Sequence, residues 1–206
     1  MTNMRKYLLL NIIIISFVLF LMPFTQAAEE TRISLRSNYR DLSVHQVQLI
    51  SNISIRRKHD YGFFGYSTVT HRYENKPINE DSVVINHATG LMWHQSGSDK
   101  GMVWNEAKQW VKDLNSRGYA GYSDWRLPTV EEAASLLELN RTGGDLYIDT
   151  VFDTRQSGIW TGDENDSASY LEGVWNVRFK GAYGAGNVSW CYENAVNYVR
   201  PVRSMK

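Results

Sequence analysis

The segment YSDWRLPTVEE, residues 122–132, joins two amphipathic stretches of the chain and predicts a sharp turn between them. Pro128 has no backbone N–H to donate, and its ring holds Leu127 in an extended conformation, so no helix continues through this point. Thr129 is placed to cap the helix that follows, and Glu132 stands three residues later, as a capping box requires. We therefore predict a fixed turn between two helices.

Two large side chains lie just before this turn. Trp125 has enough apolar surface to anchor a core, and Arg126 offers five N–H donors in a fixed plane. One interpretation makes Arg126 structural, because a guanidinium can tie neighbouring segments through carboxylates or carbonyls. The other makes Arg126 a contact for a ligand, and the sequence leaves both open.

An amphipathic helix is predicted on each side of the turn. In residues 103–117 apolar side chains recur every three or four positions, and Gly118 follows as a helix-terminating residue. Residues 130–139 repeat the pattern before the polar segment 140–144. The two apolar faces are Val103, Trp104, Ala107, Trp110, Val111 and Leu114 in the first helix, and Val130, Ala133, Ala134, Leu136 and Leu137 in the second.

The first 27 residues have the layout of a secretory signal peptide. Arg5 and Lys6 precede an apolar run over residues 8–22, and small residues follow, with cleavage expected near Ala27 or Ala28. An uncleaved anchor is the alternative, although the run is shorter than the ~20 residues that span a bilayer. We expect an exported protein, periplasmic or extracellular, that meets a membrane only through this signal.

Composition narrows the function classes. The 206-residue chain has a formal net charge of zero, which argues against binding to nucleic acid. Its 7 Trp and 12 Tyr suit a loop-rich fold and also suit recognition of sugars or peptides. Cys191 is the single cysteine, so an internal disulfide is excluded. A buried inert thiol is expected there, with an intermolecular disulfide or a reactive thiol as the alternatives.

Residues 28–82 are predicted to form an N-terminal extension, with helix and strand, packed on a main domain at 83–206. Residues 29–40 are polar and charged and suggest a loose arm. Ser43 is a candidate cap for a short helix that would end at the basic run 56–59. A strand is expected over 67–73, and the segment 76–81, which contains Pro77, is expected to be a loop.

The remaining sequence predicts β-structure. Residues 83–85 and 91–93 should form a hairpin around the turn 86–90. After the second helix, strands are expected at 159–161 and 174–179. The last strands are expected at 188–192 and 196–202, where Pro201 indicates an edge or a bulge.

Five motifs occur in order along the second half of the chain: TGLMW at 89–93, the helix with Trp104 and Ala107, GYSDWRLPT at 121–129, Trp160-Thr161, and YVRPVR at 198–203. Through these motifs the sequence from residue 83 to 203 resembles the Lcl C-terminal domain, a domain of unknown function named after a collagen-like adhesin. The segment RLPTVEE is also similar to the formylglycine-generating family.

The resemblance implies an α+β, C-type-lectin-like fold. Two main helices would pack against twisted, mainly antiparallel sheets, and the short N-terminal helix would be added to them. The motif residues would then be structural; they are Trp93, Trp104, Trp110, Trp125, Arg126, Pro128, Thr129, Glu132 and Arg200.

The sequence departs from the chemistry of both relatives. Formylglycine-generating enzymes bind copper through paired cysteines, and here Cys191 stands alone. C-type lectins hold sugar through calcium, and Asp163, Asn165 and Asp166 offer the oxygen ligands that calcium prefers. No EPN triplet accompanies them, and a solvated acidic loop is the alternative. We therefore expect no cofactor, with calcium at this loop as the exception to test.

Catalytic patterns are not apparent in the sequence. The five histidines are scattered without an HExxH motif, and no GxSxG elbow occurs. The glycine-rich turn 181–186 lacks the GK[ST] of a phosphate loop. We predict no catalytic residue, and we regard the chain as more consistent with a binding protein than with an enzyme.

Three hypotheses of function follow. The first is an exported binding module that recognises a glycan or an envelope ligand through aromatic side chains. The resemblance makes anionic glycans a ligand to consider, because the adhesin that named the family binds sulfated polysaccharides. The second is a structural or assembly partner in the cell envelope, and the third is a diverged hydrolase or oxidase. Candidate ligand contacts are Trp160, Tyr183, Trp190, Tyr192 and Arg126, with Trp175 as a further aromatic.

Overall fold

The computed structural model describes residues 32–166 and 173–205, and the predicted signal peptide lies outside them. The described chain is a mixed α+β fold, mostly β, with ten strands in two sheets and few helices. In the described ranges no helix is both long and apolar enough to cross a membrane. The elements are β1 Asp41–Leu42, α1 Val44–Val47, β2 Ile53–His59, β3 Gly62–Ser67, β4 Tyr73–Ile78, β5 Asp81–Asn86, β6 Leu91–His94, α2 Trp104–Arg117, α3 Val130–Ser135, β7 Gly158–Asn165, β8 Gly173–Arg178, β9 Gly186–Tyr192 and β10 Val202–Ser204.

The two sheets divide the strands unevenly. The larger sheet has six strands in the order β1-β7-β8-β9-β3-β2, and the smaller has four in the order β10-β6-β5-β4. Every named pairing is antiparallel except β1 with β7. The predicted hairpin is β5 and β6, in which Val83 pairs with His94. Arg126 forms a bridge to Val202, so the backbone of the turn segment continues the smaller sheet beyond β10.

Helix α2 agrees with its prediction. It runs from Trp104 to Arg117 and buries Trp104, Ala107, Val111 and Leu114. Gly118 adopts the left-handed conformation, with φ of 66°, that lets a helix end without a Cβ clash. The side chain of Trp110 is only partly buried, at the margin of the core.

Helix α3 is shorter than predicted. Its capping box is present, since the Thr129 hydroxyl accepts from the Glu132 N–H and the Glu132 carboxylate accepts from the Thr129 N–H. The helix stops at Ser135 because the following backbone bonds elsewhere. The Leu137 carbonyl accepts from the Ser67 N–H, and the Glu138 N–H donates to the Tyr147 carbonyl. Leu136 and Leu137 are still fully buried, as predicted, but in a turn.

The first predicted helix is mostly wrong. Ser43 caps α1 as expected, but α1 has only four residues, and the basic run 56–59 belongs to β2. β2 lies at an edge of the larger sheet, so its outward charged side chains remain in water. Charges on an edge strand discourage pairing with other chains, which accounts for a basic run in a strand.

Three further boundaries are corrected. Residues 68–72 separate two strands instead of forming one, and the segment 76–81 carries the end of β4 with Pro77 inside it. The proline is tolerated because β4 is an edge strand and has a free side. The predicted strand 196–202 is also wrong, because Asn197 and Tyr198 make only isolated bridges before β10 begins at Val202.

The core has two parts. One contains Trp93, Phe152 and Trp175 with α3, and the other contains Trp104, Trp125 and Trp160 with α2. Neighbouring residues of β7 divide between them, since Ile159 belongs to the first part and Trp160 to the second. Both faces of β7 are therefore buried. Exposed aromatic side chains lie in the loops and at the sheet edges.

Candidate functional site

The turn segment is held together by a buried ion pair. Arg126 donates from its two terminal nitrogens to the two oxygens of Glu132, each at 2.7 Å, and the Glu132 side chain is fully buried. Glu132 also accepts from the Thr129 N–H at 2.8 Å. The structural interpretation of Arg126 is thus supported by its contacts, while about a fifth of its side chain, 22%, stays exposed.

Asp163 forms a second buried charged centre. Its carboxylate accepts from both terminal nitrogens of Arg36 at 2.8 Å, from the Arg40 N–H at 2.8 Å and from the Val130 N–H at 2.7 Å. Arg36 also pairs with Glu131 at 3.3 Å. The loose arm predicted for residues 29–40 is therefore wrong over its described part, because this network fixes the backbone around Arg36.

The same contacts do not fit a calcium site at this loop. Asp163 has no exposed surface, and its oxygens already face a guanidinium, which occupies the place a cation would need. Asn165 and Asp166 stay candidate calcium ligands, and residues 167–172, which follow them, lie outside the described residues. Across residues 32–166 and 173–205, no group of three His, Cys, Asp or Glu side chains is arranged to hold a metal ion.

Six aromatic rings among the described residues form a chain of contacts near the surface. We call it the aromatic row: Tyr192, Trp190, Tyr61, His59, Phe64 and Tyr183. Neighbouring centroids along it are 5.9, 5.6, 6.5, 5.0 and 4.9 Å apart, and most contacts are edge-to-face or tilted. Such spacings are those of favourable aromatic pairs.

Both ends and the middle of the row are open to solvent. Tyr183 is 54% exposed, Tyr61 is 57% exposed and Tyr192 is 46% exposed. A concavity of about 370 Å³ lies along the middle, lined by His59, Tyr61, Phe64 and Trp190 of the row together with Arg178, Asn187, Ser189 and Cys191, whereas Tyr183 and Tyr192 lie outside it. The row therefore offers aromatic surface and hydrogen-bonding groups side by side.

Positive charge accompanies the row. The Arg57 guanidinium lies 4.4 Å from the centre of the Tyr183 ring, and Arg178 is exposed on the wall of the concavity. Burial lowers the pKa of the His59 imidazole below its ordinary 6.5, so this ring is neutral at pH 7. The positive charge beside the row thus comes from arginines, and the Asp60 carboxylate adds a negative charge close to His59.

Cys191 lies beside the row as a protonated thiol. Burial raises its pKa above the ordinary 9.0, and the Asn176 amide donates to its sulfur at 3.1 Å. A thiolate is the reactive form of cysteine. These surroundings favour the inert thiol over the reactive one.

The structure places the predicted ligand contacts in three different parts of the molecule. Tyr183, Trp190 and Tyr192 all belong to the aromatic row. Trp160 and Trp175 are completely buried, with their indole N–H groups bound to the carbonyls of Met102 and Leu42, so neither presents a face to a ligand. Arg126 lies on a different surface, beside α2.

The sequence analysis missed the other half of the row. His59, Tyr61 and Phe64 come from the β2–β3 hairpin, where the sequence analysis named no ligand contact. Their alternation between the two faces of β3 was the available signal, since Phe63 enters the core and Phe64 faces outward to Tyr183. The sequence around Phe64 could not predict that its ring would contact Tyr183.

Comparison with known proteins gives one family. The model of the Lcl C-terminal domain matches residues 82–203, which is more than half of the chain. No curated protein matches the sequence. The matched region contains Tyr183, Trp190 and Tyr192, whereas the other three rings of the row precede it.

Proposed function

The chain belongs to the Lcl C-terminal domain family, and from this premise we propose that it is an exported, non-catalytic module that binds a glycan along the aromatic row. The fold we propose is C-type-lectin-like, with α2 and α3 as the two main helices and α1 as the additional short one. Support for the fold comes from the motif resemblance and from the mixed, mainly antiparallel architecture. Calcium has no part in this proposal, because Asp163 is bound to Arg36.

The observation that carries the proposal is the exposure of rings within a continuous row. Sugar rings have apolar C–H faces that pack on aromatic faces, and the negative face of a π-system attracts the polarised C–H groups. Tyr61, Tyr183 and Tyr192 offer such surfaces without needing to move out of the core. Several rings in successive contact offer an extended ligand more than one stacking surface.

The polar groups beside the row favour an acidic glycan. Arg57 and Arg178 are both exposed, and a guanidinium binds carboxylate or sulfate groups through two parallel N–H donors. The whole chain has no net positive charge, so the attraction is local and will weaken with salt. This agrees with the anionic glycans that the family resemblance suggests.

Binding of the chain from residue 28 onward to an array of neutral, uronic-acid and sulfated glycans tests the proposal. We expect saturable binding to acidic glycans, and we expect Tyr183→Ala and Tyr192→Ala each to raise the Kd about tenfold, the size of effect seen for aromatic anchors. Leu139→Ala is the matched control, because Leu139 is 43% exposed and does not belong to the row. A uniform absence of binding, or an equal loss in the control, would refute the proposal.

An envelope protein is the second candidate ligand. Tyr, Trp and Arg are enriched in protein interfaces, and the row presents all three together. Crosslinking in native extracts followed by co-purification distinguishes an envelope protein from a glycan as the ligand. A protein partner lost on Tyr183→Ala, together with an empty glycan array, would favour the assembly role.

A further inference from the structure

A second concave surface lies along α2 and shares no lining residue with the concavity of the aromatic row. We call it the α2 groove. It has a volume of about 540 Å³, within the 300–1,000 Å³ typical of small-molecule sites. One wall is α2, and the other is formed by residues 39–41 and β7, with the turn segment between them.

The inner surface of the groove is apolar. Trp104, Val111, Trp125 and Leu127 line it, and each is at most 7% exposed. The Trp104 indole N–H is already bound to the Thr161 carbonyl at 2.9 Å, and the Trp125 indole N–H to the Tyr119 carbonyl at 3.0 Å. These rings therefore contribute carbon surface, and an apolar body placed there displaces water without leaving a polar group unpaired.

The opposite wall contains Tyr39, which is 47% exposed. The Tyr39 hydroxyl donates to the Leu127 carbonyl at 2.9 Å, and its ring packs flat against Gly162. A Cβ at Gly162 would lie 2.1 Å from that ring, so only glycine permits this contact. Burial raises the pKa of Tyr39 to about 12, which keeps its hydroxyl protonated. Arg40 adds positive charge and Asp41 and Glu164 add negative charge on the strand side, where β1 meets β7.

The helix wall is positively charged. Trp104, Lys108, Val111, Lys112 and Asn115 recur at spacings of three and four, so they share one face of α2. The Lys108 ammonium lies 3.6 Å from the centre of the Trp104 ring. Within the described ranges neither Lys108 nor Lys112 forms an ion pair.

An anionic ligand relieves the repulsion between Lys108 and Lys112. Like charges four residues apart on a helix repel each other, and an anion between them removes that repulsion. Arg126 also lines the groove, but it forms an ion pair with Glu132. The positive charge on the helix side of the groove therefore comes from Lys108 and Lys112.

We propose that the α2 groove binds a small amphipathic anion, with an aromatic or alkyl body against the tryptophans and one acid group between Lys108 and Lys112. This site is separate from the aromatic row and takes a different class of ligand.

A matched pair of fluorescent probes tests the inference on the chain from residue 28 onward. 8-Anilinonaphthalene-1-sulfonate has an aromatic body and an acid group, and N-phenyl-1-naphthylamine is the same body without it. We expect the sulfonate to bind with one saturable Kd at least fivefold below that of the amine at low salt. The double variant Lys108→Gln/Lys112→Gln should raise the Kd for the sulfonate about tenfold and change the Kd for the amine less than twofold.

The control double variant is Lys76→Gln/Lys100→Gln, which removes the same charge from exposed positions outside the groove. It should leave both constants within twofold. An equal loss in the control, equal affinity for the two probes, or loss of the sulfonate on Tyr183→Ala/Tyr192→Ala would overturn the proposal. The last result would place the probe on the aromatic row, and melting curves on every variant verify folding.

Discussion

Two regions of the molecule differ in how they relate to the family. Residues 82–203 match its model and contain the turn segment and both longer helices, while residues 32–81 precede the match and contain α1 and four strands. The earlier region provides β1 and β2 at the two edges of the larger sheet and β4 at one edge of the smaller. Three of the four sheet edges are thus formed outside the family region.

This difference shows that the preceding region completes the fold. The described residues form one compact unit in which β3 pairs with β9 from Gly62–Ser189 to Gly65–Gly186. Phe63 on β3 is fully buried in the core that contains Trp175 and Val188. Arg36 adds a charged link, since it pairs with Glu131 and Asp163 of the family region. Without these partners the family region would expose strand edges and apolar surface.

Removal of residues 1–81 gives the largest expected effect. We predict that the fragment 82–206 does not fold, because β9 loses β3, one of its two partners, and the core loses Phe63 and Val47. Far-UV circular dichroism and a thermal melt check this, with the chain from residue 28 as the control. A cooperative melt of the fragment would show that the family region is independent and that the extension is only attached to it.

Asp163→Ala breaks the charged link between the two regions. It leaves Arg36 partly buried without a carboxylate on that side and removes the acceptor of two backbone N–H groups. We expect a loss of about 3–5 kcal/mol in the free energy of unfolding, as for a buried pair that loses one partner. Urea denaturation measures it.

Asp145→Ala is the matched control for that experiment. Asp145 pairs with Arg141 at 3.5 Å, but its side chain is 79% exposed. Exposed pairs contribute little, so the loss should be at most about 0.5 kcal/mol. Similar losses in the two variants would mean that the Arg36–Asp163 ion pair does not stabilise the contact between the two regions.

Buried histidines in the two regions predict a smaller, pH-dependent effect. Burial, aided by Arg200 and Arg117, lowers the pKa of His94 from 6.5 to about 3, and burial also lowers the pKa of His71. The folded state holds neutral imidazoles, whereas the unfolded chain takes up protons near pH 6.5. The stability that they contribute is complete above pH 6.5 and is lost as the pH falls from there toward the folded pKa.

For His94 alone this amounts to about 2 kcal/mol at pH 5. Urea denaturation at pH 7.5 and at pH 5 should therefore show a smaller pH difference in His94→Asn than in the unchanged chain. In His71→Asn the pH difference should decrease by less than in His94→Asn. An unchanged pH difference in His94→Asn would mean that the imidazole is protonated within the fold.

Local signals were sufficient where one segment makes its own structure. The spacing of apolar residues predicted α2, Gly118 predicted its end, and Pro128 with Thr129 predicted the start of α3. Such features depend on backbone geometry and on side chains three or four residues apart, so the sequence contains them directly. The family motifs lie in these same segments.

Predictions failed where a distant partner decides the outcome. The apolar residues of segment 53–59 are compatible with the periodicity of a helix or of a strand. The segment is a strand because β3 pairs with it. Asp163 looked like a metal ligand from its neighbours in the chain, but it binds Arg36, 127 residues earlier. Trp160 and Trp190 look alike in sequence, yet one is fully buried and the other belongs to the aromatic row.

The sequence by itself determined the helix α2, the fixed turn before α3, the absence of an internal disulfide and membership of the family, because each depends on residue identity or short-range spacing. Only the tertiary structure decided which aromatic side chains share a surface and which carboxylates are neutralised. Pairing of β3 with β9 and packing of residue 36 against residue 163 join segments more than a hundred residues apart. Contacts at that separation depend on the whole chain closing around its core.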